Sequence, residues 1–115
     1  EYVAQRAFEL VDKSITTPRI LILGVAYKPG TSDVRESPVS VLRDYLVAFG
    51  AEVAWHDPLV PSWEGTNPVD LDWKCDVAIL TNKQPGMNVE HLVLKGIQVL
   101  DCTHSMNNQP RVTLL

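Results

Sequence analysis

Apolar residues in the first quarter of the chain follow two different patterns. Across residues 2–15 they recur at helical spacing, which predicts a helix whose apolar face carries Val3, Ala7, Leu10 and Val11. Thr16-Thr17-Pro18 is expected to end this helix, because the residue before a proline is pushed out of the α region. Residues 20–26 then form an uninterrupted apolar run, which is typical of a strand buried on both faces of a parallel sheet.

A polar loop and an amphipathic helix follow that strand. The loop spans residues 27–36, and Ser37-Pro38 has the pattern of a helix N-cap followed by proline at the first helical position. The apolar residues after it fall on one helical face, and Gly50 supplies a left-handed stop. A second short strand is predicted at residues 52–56, so the first half forms a β-α-β unit.

The second half repeats this alternation more weakly. We predict a strand at residues 76–80, a short helix at 89–95 and a fourth strand at 97–100 that ends at Asp101. Strands that alternate with helices predict an α/β fold, with helices around a doubly wound parallel sheet. At 115 residues, one domain is the natural count.

Charge and composition narrow the classes of function. With 10 basic and 14 acidic residues and a net charge of -4, the chain has no basic footprint for nucleic acid or an anionic membrane surface. It has no apolar run near the ~20 residues of a membrane span, no secretory signal at its start, and no metal-ligand spacing of its cysteines. We therefore expect a soluble, reduced, cytoplasmic domain. Because the chain opens inside a predicted helix without Met or a cap, we expect a piece of a longer protein.

The loop after the first strand carries the most informative chemistry. Ligands of doubly wound sheets bind outside the carboxyl ends of the strands, and this loop places Lys28 and Arg35 just before a helix N-terminus. A lysine point charge, an arginine fork and free N–H groups suit a phosphate or diphosphate. A second interpretation stays open, in which the two cations are solvated and pair with Asp33 and Glu36.

Other familiar sites are disfavoured. The glycines of this loop lack the spacing of a dinucleotide-binding turn, and the loop lacks a Walker A motif. A response-regulator-like site would need carboxylates where Lys28 stands. Cys75 and Cys102 are expected to be packing residues rather than nucleophiles, and the three histidines are too scattered to predict a metal site.

Residues 24–38, GVAYKPGTSDVRESP, resemble a signature of the UDP-glucose/GDP-mannose dehydrogenase family, in its C-terminal, UDP-binding domain. Every position that the signature specifies is matched, from Gly24 through Tyr27-Lys28 to Ser37-Pro38. Later segments resemble the family's following strands, so that the resemblance covers about residues 19–104.

The resemblance implies two Rossmann-like domains joined by a long helix. The first binds NAD, the second binds the nucleotide part of a sugar nucleotide, and a cysteine from the middle region drives two hydride transfers that yield a uronic acid. Residues 1–17 would be the end of the interdomain helix, and residues 18–115 the nucleotide-sugar-binding domain, a three-layer Rossmann-like fold. Tyr27, Lys28 and Arg35 would bind the sugar nucleotide, which the resemblance implies is UDP-linked, whereas NAD would be bound by a domain absent from this chain.

Two segments depart from the family pattern. Many members carry an arginine just after the Asp of the last strand, where this chain has Thr103-His104, and residues 81–84 also differ. A different nucleotide preference or binding strength is therefore expected. The catalytic cysteine motif is absent, so the resemblance implies no catalytic residue here, an inactive isolated chain, and a parent enzyme that is a homodimer or larger. The alternative is a non-catalytic nucleotide-binding or oligomerisation module with the same fold.

Overall fold

The chain folds around one sheet of five parallel strands. The computed structural model describes residues 2–26, 28–35, 37–106, 109 and 111–115. The strands are β1 (Arg19–Leu23), β2 (Glu52–His56), β3 (Val77–Leu80), β4 (Gln98–Asp101) and β5 (Val112–Leu114), and the helices are α1 (Tyr2–Glu9), α2 (Val39–Ala48) and α3 (Val89–Leu94). The strand order across the sheet is β2-β1-β3-β4-β5. The predicted α/β fold with a parallel sheet is confirmed.

Helices cover both faces of this sheet and make three layers. Ile20 and Ile22 of β1 belong to the same core cluster as residues of α1 and α2. Leu21 and Leu23 point to the opposite face, where they join the cluster that includes α3. All four side chains are fully buried, as the uninterrupted apolar run predicts for a central parallel strand. No helix in the described part of the chain is long and apolar enough to cross a membrane.

The first helix is shorter than its apolar spacing predicts. α1 ends at Glu9 rather than near residue 15. Its last turn tightens, because the N–H of Leu10 donates to the carbonyl of Ala7 at 3.1 Å. Asp12 then accepts hydrogen bonds from both the N–H and the hydroxyl of Ser14. Such a local turn competes with helix propagation, so the prediction of a helix through residue 15 is wrong.

β1 also stops earlier than its apolar run, which continues to Ala26. The strand ends at Leu23 because Gly24 adopts a φ of +89°, a conformation that side-chain-bearing residues rarely adopt. A Cβ atom at this position would overlap the main chain of Asn82. Gly24 therefore turns the chain out of the sheet while it packs directly against the segment after β3.

The two ends of α2 confirm the predicted stop and start signals. Ser37 Oγ accepts the N–H of Val39 at 3.2 Å, as an N-cap does, and Pro38 already has helical angles. At the other end Gly50 has a φ of +100°, and the N–H of Ala51 reaches back to the carbonyl of Leu46 at 3.0 Å. This is the Schellman arrangement that glycine favours.

The fifth strand was not predicted. β5 pairs only with β4, with Leu100 opposite Thr113, and its residues are partly exposed or exposed. Three residues are too few to establish either a continuous apolar run or an alternation, which explains why the pattern of the chain did not indicate this edge strand.

The close approach at Gly24 gives a stability test. Gly24→Ala should lower the free energy of unfolding by about 3 kcal/mol or more, because left-handed strain adds to overlap with the Asn82 main chain. Gly50→Ala is the matched control, since it also has a positive φ but has open space around the added Cβ, and it should cost only about 1–2 kcal/mol. Urea unfolding of both variants measures the difference, and equal losses would contradict the packing role of Gly24.

Candidate functional site

The sheet order creates a crevice beside the end of β1. β2 lies on one side of β1 and β3 on the other, so the connections leave the carboxyl ends of β1 and β3 in different directions, which is where doubly wound sheets bind ligands. In register, Leu23 lies opposite both His56 and Leu80. The β1–α2 loop (residues 24–37) therefore emerges level with the residues that follow β2 and β3.

Asp57, the residue after β2, holds the start of this loop. Its carboxylate is 2% exposed. Oδ2 accepts the N–H of Val25 at 2.9 Å and the N–H of Ala26 at 3.3 Å, and Oδ1 accepts the N–H of Leu59 at 3.0 Å. A buried carboxylate is tolerated when it is hydrogen-bonded in this way, so the start of the loop has a defined position.

Gln84, from the segment after β3, holds the middle of the same loop. Its side chain is 1% exposed. Oε1 accepts the N–H of Gly30 at 2.8 Å, and Nε2 donates to the carbonyl of Thr31 at 2.8 Å and to Oδ2 of Asp57 at 3.2 Å. One buried amide thus links the loop to the residue that anchors its start.

The end of the loop is tied back to its beginning. Ser37 Oγ donates to the carbonyl of Val25 at 2.8 Å while it caps α2. Asn82 Nδ2 donates to the carbonyl of Ala26 at 3.3 Å, and the hydroxyl of Thr81 donates to the carbonyls of Leu23 and Gly24. The loop is therefore fixed at its start, middle and end by buried or half-buried polar groups.

The predicted anion-binding cations lie on this loop and differ in their partners. Arg35 is 88% exposed and forms a two-point pair with Asp33, with Nε 3.0 Å from Oδ1 and Nη2 3.1 Å from Oδ2. Lys28 is exposed and has no ion pair within the described residues. The ion-pair interpretation therefore holds for Arg35, whereas the Lys28 ammonium group has no carboxylate partner among the described residues. Tyr27 and Glu36 lie outside the described residues.

The pKa of Asp33 reflects its partner. Hydrogen bonds from the Arg35 side chain and main chain, together with the smaller effect of the Arg35 and Lys28 charges, lower the pKa of Asp33 to about 2. An anion that engages Arg35 must therefore compete with a carboxylate that stays ionised over the physiological pH range.

The turn after β4 uses Thr103 and His104 in a structural role. Asp101 is fully buried and accepts the N–H groups of Thr103, His104 and Met106 at 2.8 to 3.0 Å. Burial raises the pKa of Asp101, but hydrogen bonds from these residues and from the Thr103 hydroxyl outweigh it, so the net shift is downward. Where many relatives were expected to place an arginine, this chain has a turn organised around a carboxylate.

The cysteines and histidines form no shared site. Burial raises the pKa of both Cys75 and Cys102 to about 11, so both thiols stay protonated and weakly nucleophilic at neutral pH. Cys102 lines an apolar cavity of about 240 Å³ beside α2. Across the ranges that the structure describes, no group of three or more His, Cys, Asp or Glu side chains is placed to hold a metal ion.

The β1–α2 loop does not fit a dinucleotide. A dinucleotide-binding turn uses glycine to let the pyrophosphate approach the backbone, whereas the space beside Gly24 is filled by the Asn82 main chain. The first N–H groups of α2 are served in part by Ser37 Oγ. We assign no NAD-binding role to these residues.

The residues that hold the loop were missed by sequence reasoning. Asp57 was placed at the carboxyl end of the second strand without a role, and Gln84 was placed at the start of a turn and in a segment that departs from the family pattern. The available signal for Asp57 was its position directly after a buried-type strand, at the edge where the loops meet. No local pattern marks Gln84.

The strand order, with a fixed loop at the point between β1 and β3 where that order reverses, defines a doubly wound α/β domain. Domains of this class bind ligands at that point. The family described as "UDP-glucose/GDP-mannose dehydrogenase family, UDP binding domain" matches residues 21–85. The chain belongs to this family, and it corresponds to the C-terminal, UDP-binding domain of nucleotide-sugar dehydrogenases. The resemblance carried by residues 24–38 is confirmed.

Individual relatives agree with this assignment. The UDP-N-acetyl-D-mannosamine dehydrogenase of Methanococcus aeolicus is 30% identical over 113 residues, which are 95% of this chain and 25% of that protein. The UDP-glucose 6-dehydrogenase YwqF of Bacillus subtilis is 39% identical over 59 residues, 46% of this chain and 13% of that protein. The chain therefore spans only a quarter or less of the length of these two relatives.

Solved structures share the fold. A GDP-mannose dehydrogenase from Pseudomonas aeruginosa, solved as a ternary complex, matches with a TM-score of 0.61 at 27% identity. The match covers 96% of this chain and 30% of the dehydrogenase chain. A UDP-D-ManNAc dehydrogenase from Pyrococcus horikoshii matches with a TM-score of 0.75 at 22% identity, over 98% of this chain and 30% of its own.

The Asp33–Arg35 pair can be tested by titration. The carboxyl of Asp33 should titrate near pH 2. Because its pKa is lowered on folding, the pair contributes stability above the ordinary value of 3.8, and that contribution is lost as the pH falls toward 2. Arg35→Ala should move the pKa only part of the way back to 3.8, since the N–H of residue 35 remains.

NMR detection of the Asp33 carboxyl carbon measures this titration directly. Arg111→Ala, which removes an exposed arginine outside the loop, should leave it unchanged. An Asp33 pKa near 3.8 in the unmodified protein would show that the pair does not form in solution.

Proposed function

We propose that this chain is the nucleotide-sugar-binding domain of an NAD-dependent nucleotide-sugar 6-dehydrogenase. The proposed reaction oxidises the C6 alcohol of a UDP-linked sugar to a carboxylate in two steps, each of which would transfer one hydride to NAD⁺, with water supplying the second carboxylate oxygen. Family membership supports the class, and relatives that carry the names UDP-glucose 6-dehydrogenase and UDP-N-acetyl-D-mannosamine dehydrogenase support a UDP-linked substrate.

The observation that carries this proposal is the exposed Lys28 on a loop whose two flanks are fixed by buried groups. Asp57 fixes Val25 and Ala26 before it, and Gln84 fixes Gly30 and Thr31 after it. A cation whose main chain is held on both sides, and which has no ion pair in the described part of the chain, suits the phosphates of a nucleoside diphosphate.

Arg35 is proposed as the second phosphate ligand. Its fork already has the two-point geometry that a phosphate accepts, but Asp33 occupies it in the free protein. Binding would exchange the Asp33 carboxylate for a phosphate oxygen pair. Tyr27 remains a predicted substrate contact from the resemblance alone.

The remaining parts of the reaction are assigned to other domains of the parent protein. NAD and the catalytic cysteine would come from outside this chain, so the chain by itself is expected to bind nucleotide without turning over a sugar nucleotide. We propose a cytoplasmic parent enzyme that is a homodimer or larger. The alternative function is a non-catalytic nucleotide-binding or oligomerisation module with the same fold.

Nucleotide titration tests the proposal. Calorimetry or ¹⁵N NMR with UDP, GDP and UDP-glucose should show binding, with shifts concentrated in the β1–α2 loop. Lys28→Ala and Arg35→Ala should each weaken UDP binding by about 1–2 kcal/mol, because each removes a charge-assisted hydrogen bond. Lys13→Ala, which removes an exposed lysine before β1, is the matched control and should bind normally.

The outcomes separate nucleotide binding at this loop from a role in oligomerisation alone. Unchanged affinity in both loop variants would contradict the assignment of the site. No response of the unmodified chain at millimolar nucleotide would overturn the nucleotide-binding proposal and leave the oligomerisation module, which sedimentation velocity would then examine.

A further inference from the structure

Gln84 links the two flanks of Lys28 through a single buried amide. We infer that Gln84 is a positioning residue, which holds Lys28 where it can bind the phosphates of a nucleoside diphosphate. This inference rests on the proposed function, and it assigns a role to a residue that neither the sequence pattern nor the comparisons single out.

The Gln84 amide contacts the loop at two points. Oε1 accepts the N–H of Gly30 and Nε2 donates to the carbonyl of Thr31, both at 2.8 Å. An amide has one acceptor oxygen and one donor nitrogen, so it satisfies both main-chain groups in only one orientation. The contact therefore fixes which loop residues stand opposite Gln84, as the backbone of a neighbouring strand would.

The Gln84 amide also bonds to Asp57. The other hydrogen of Nε2 goes to Oδ2 of Asp57 at 3.2 Å, the same oxygen that accepts the N–H groups of Val25 and Ala26. Lys28 lies two residues after Ala26 and two before Gly30. Its main chain is thus bracketed by two fixed points that are bonded to each other.

The residues that link the loop are buried, whereas Lys28 is exposed. Gln84 and Asp57 are 1% and 2% exposed, whereas Lys28 is exposed. The Gln84–Asp57 bond and the bonds from Asp57 to Val25 and Ala26 are shielded from solvent, while the two bonds from Gln84 to Gly30 and Thr31 are part-buried and the Lys28 ammonium group remains accessible. A loop ordered before the ligand arrives spares the complex the entropy of ordering it, so loss of Gln84 should appear as loss of affinity.

The chemistry of the pair also explains why a neutral amide is needed. A carboxylate at position 84 would present an oxygen to Oδ2 of Asp57 where Nε2 now donates. Two buried carboxylates at this separation cannot both be ionised, so one would be protonated or the contact would break. In the described part of the chain, Asp57 is the only titratable side chain that hydrogen-bonds Gln84.

A double-mutant cycle with UDP as the probe tests the inference. Gln84→Ala should weaken UDP binding about tenfold in the unmodified chain but by less than about threefold in the Lys28→Ala background, because its effect passes through Lys28. Gln5→Ala, which removes an exposed glutamine on α1, is the matched control and should leave the affinity unchanged in both backgrounds.

Gln84→Glu supplies a second readout that general destabilisation would not reproduce. Relative to the unmodified chain at the same pH, its UDP affinity should be reduced at pH 8 and substantially recovered at pH 5.5, where a shared proton restores a donor between the two carboxyl groups. The amide proton of Gly30 should exchange with solvent faster in Gln84→Ala, which hydrogen exchange by NMR would detect.

The possible results are distinguishable. If the unmodified chain binds UDP and Gln84→Ala binds it equally well, or loses the same factor in both backgrounds, the positioning role is wrong while the proposed function stands. If the unmodified chain does not bind UDP at millimolar concentration, the proposed function fails and the inference fails with it.

Discussion

The buried carboxylate of Asp57 is the constraint on which the rest of the site depends. It accepts four hydrogen bonds, from the N–H groups of Val25, Ala26 and Leu59 and from the amide of Gln84. A charge this deeply buried is costly unless its donors remain in place. The loop after β1 therefore cannot rearrange without leaving that charge unsatisfied, and the ends of β1, β2 and β3 are held in one arrangement.

The parallel sheet is what makes this constraint possible. The register places Leu23 level with both His56 and Leu80, so the residues that follow three strands meet at one edge. Gly24 lets the chain leave the sheet in contact with the Asn82 main chain, a distance that no other residue type permits. Ser37 then returns the loop to its own beginning and starts α2 with the same hydroxyl. Packing and hydrogen bonding thus determine a loop whose tip faces solvent.

Local patterns were sufficient for much of the fold. The apolar run of β1 and the signals at Ser37 and Gly50 predicted a buried strand and both ends of α2, because each depends on neighbours within a few residues. The stop of α1 at Glu9 depends on a competing turn at Asp12, which helical periodicity does not register. β5 forms by pairing with the edge of β4, a long-range contact that a local pattern does not indicate.

The charged residues of the candidate site could be predicted from the sequence, but the buried residues that hold the loop could not. Lys28 and Arg35 stand out because cations before a helix suggest an anion, and that reasoning needs only the loop itself. Asp57 and Gln84 lie 27 residues apart along the chain and meet only after the sheet has formed. The sequence left open whether Arg35 binds an anion or pairs with an acidic neighbour, and the structure shows that it pairs with Asp33.

That pairing has a consequence for how an anion would approach. Residues 27–36 carry Lys28 and Arg35 against Asp33 and Glu36, so the loop is formally neutral within a chain of net charge -4. At distances beyond the ~8 Å over which physiological salt screens charge, such a surface gives an anionic ligand little electrostatic guidance. Under the proposed function, its charges would act only at contact, where a ligand must match the two-point geometry that Asp33 already provides. The loop would then give up speed of encounter and gain discrimination between ligands.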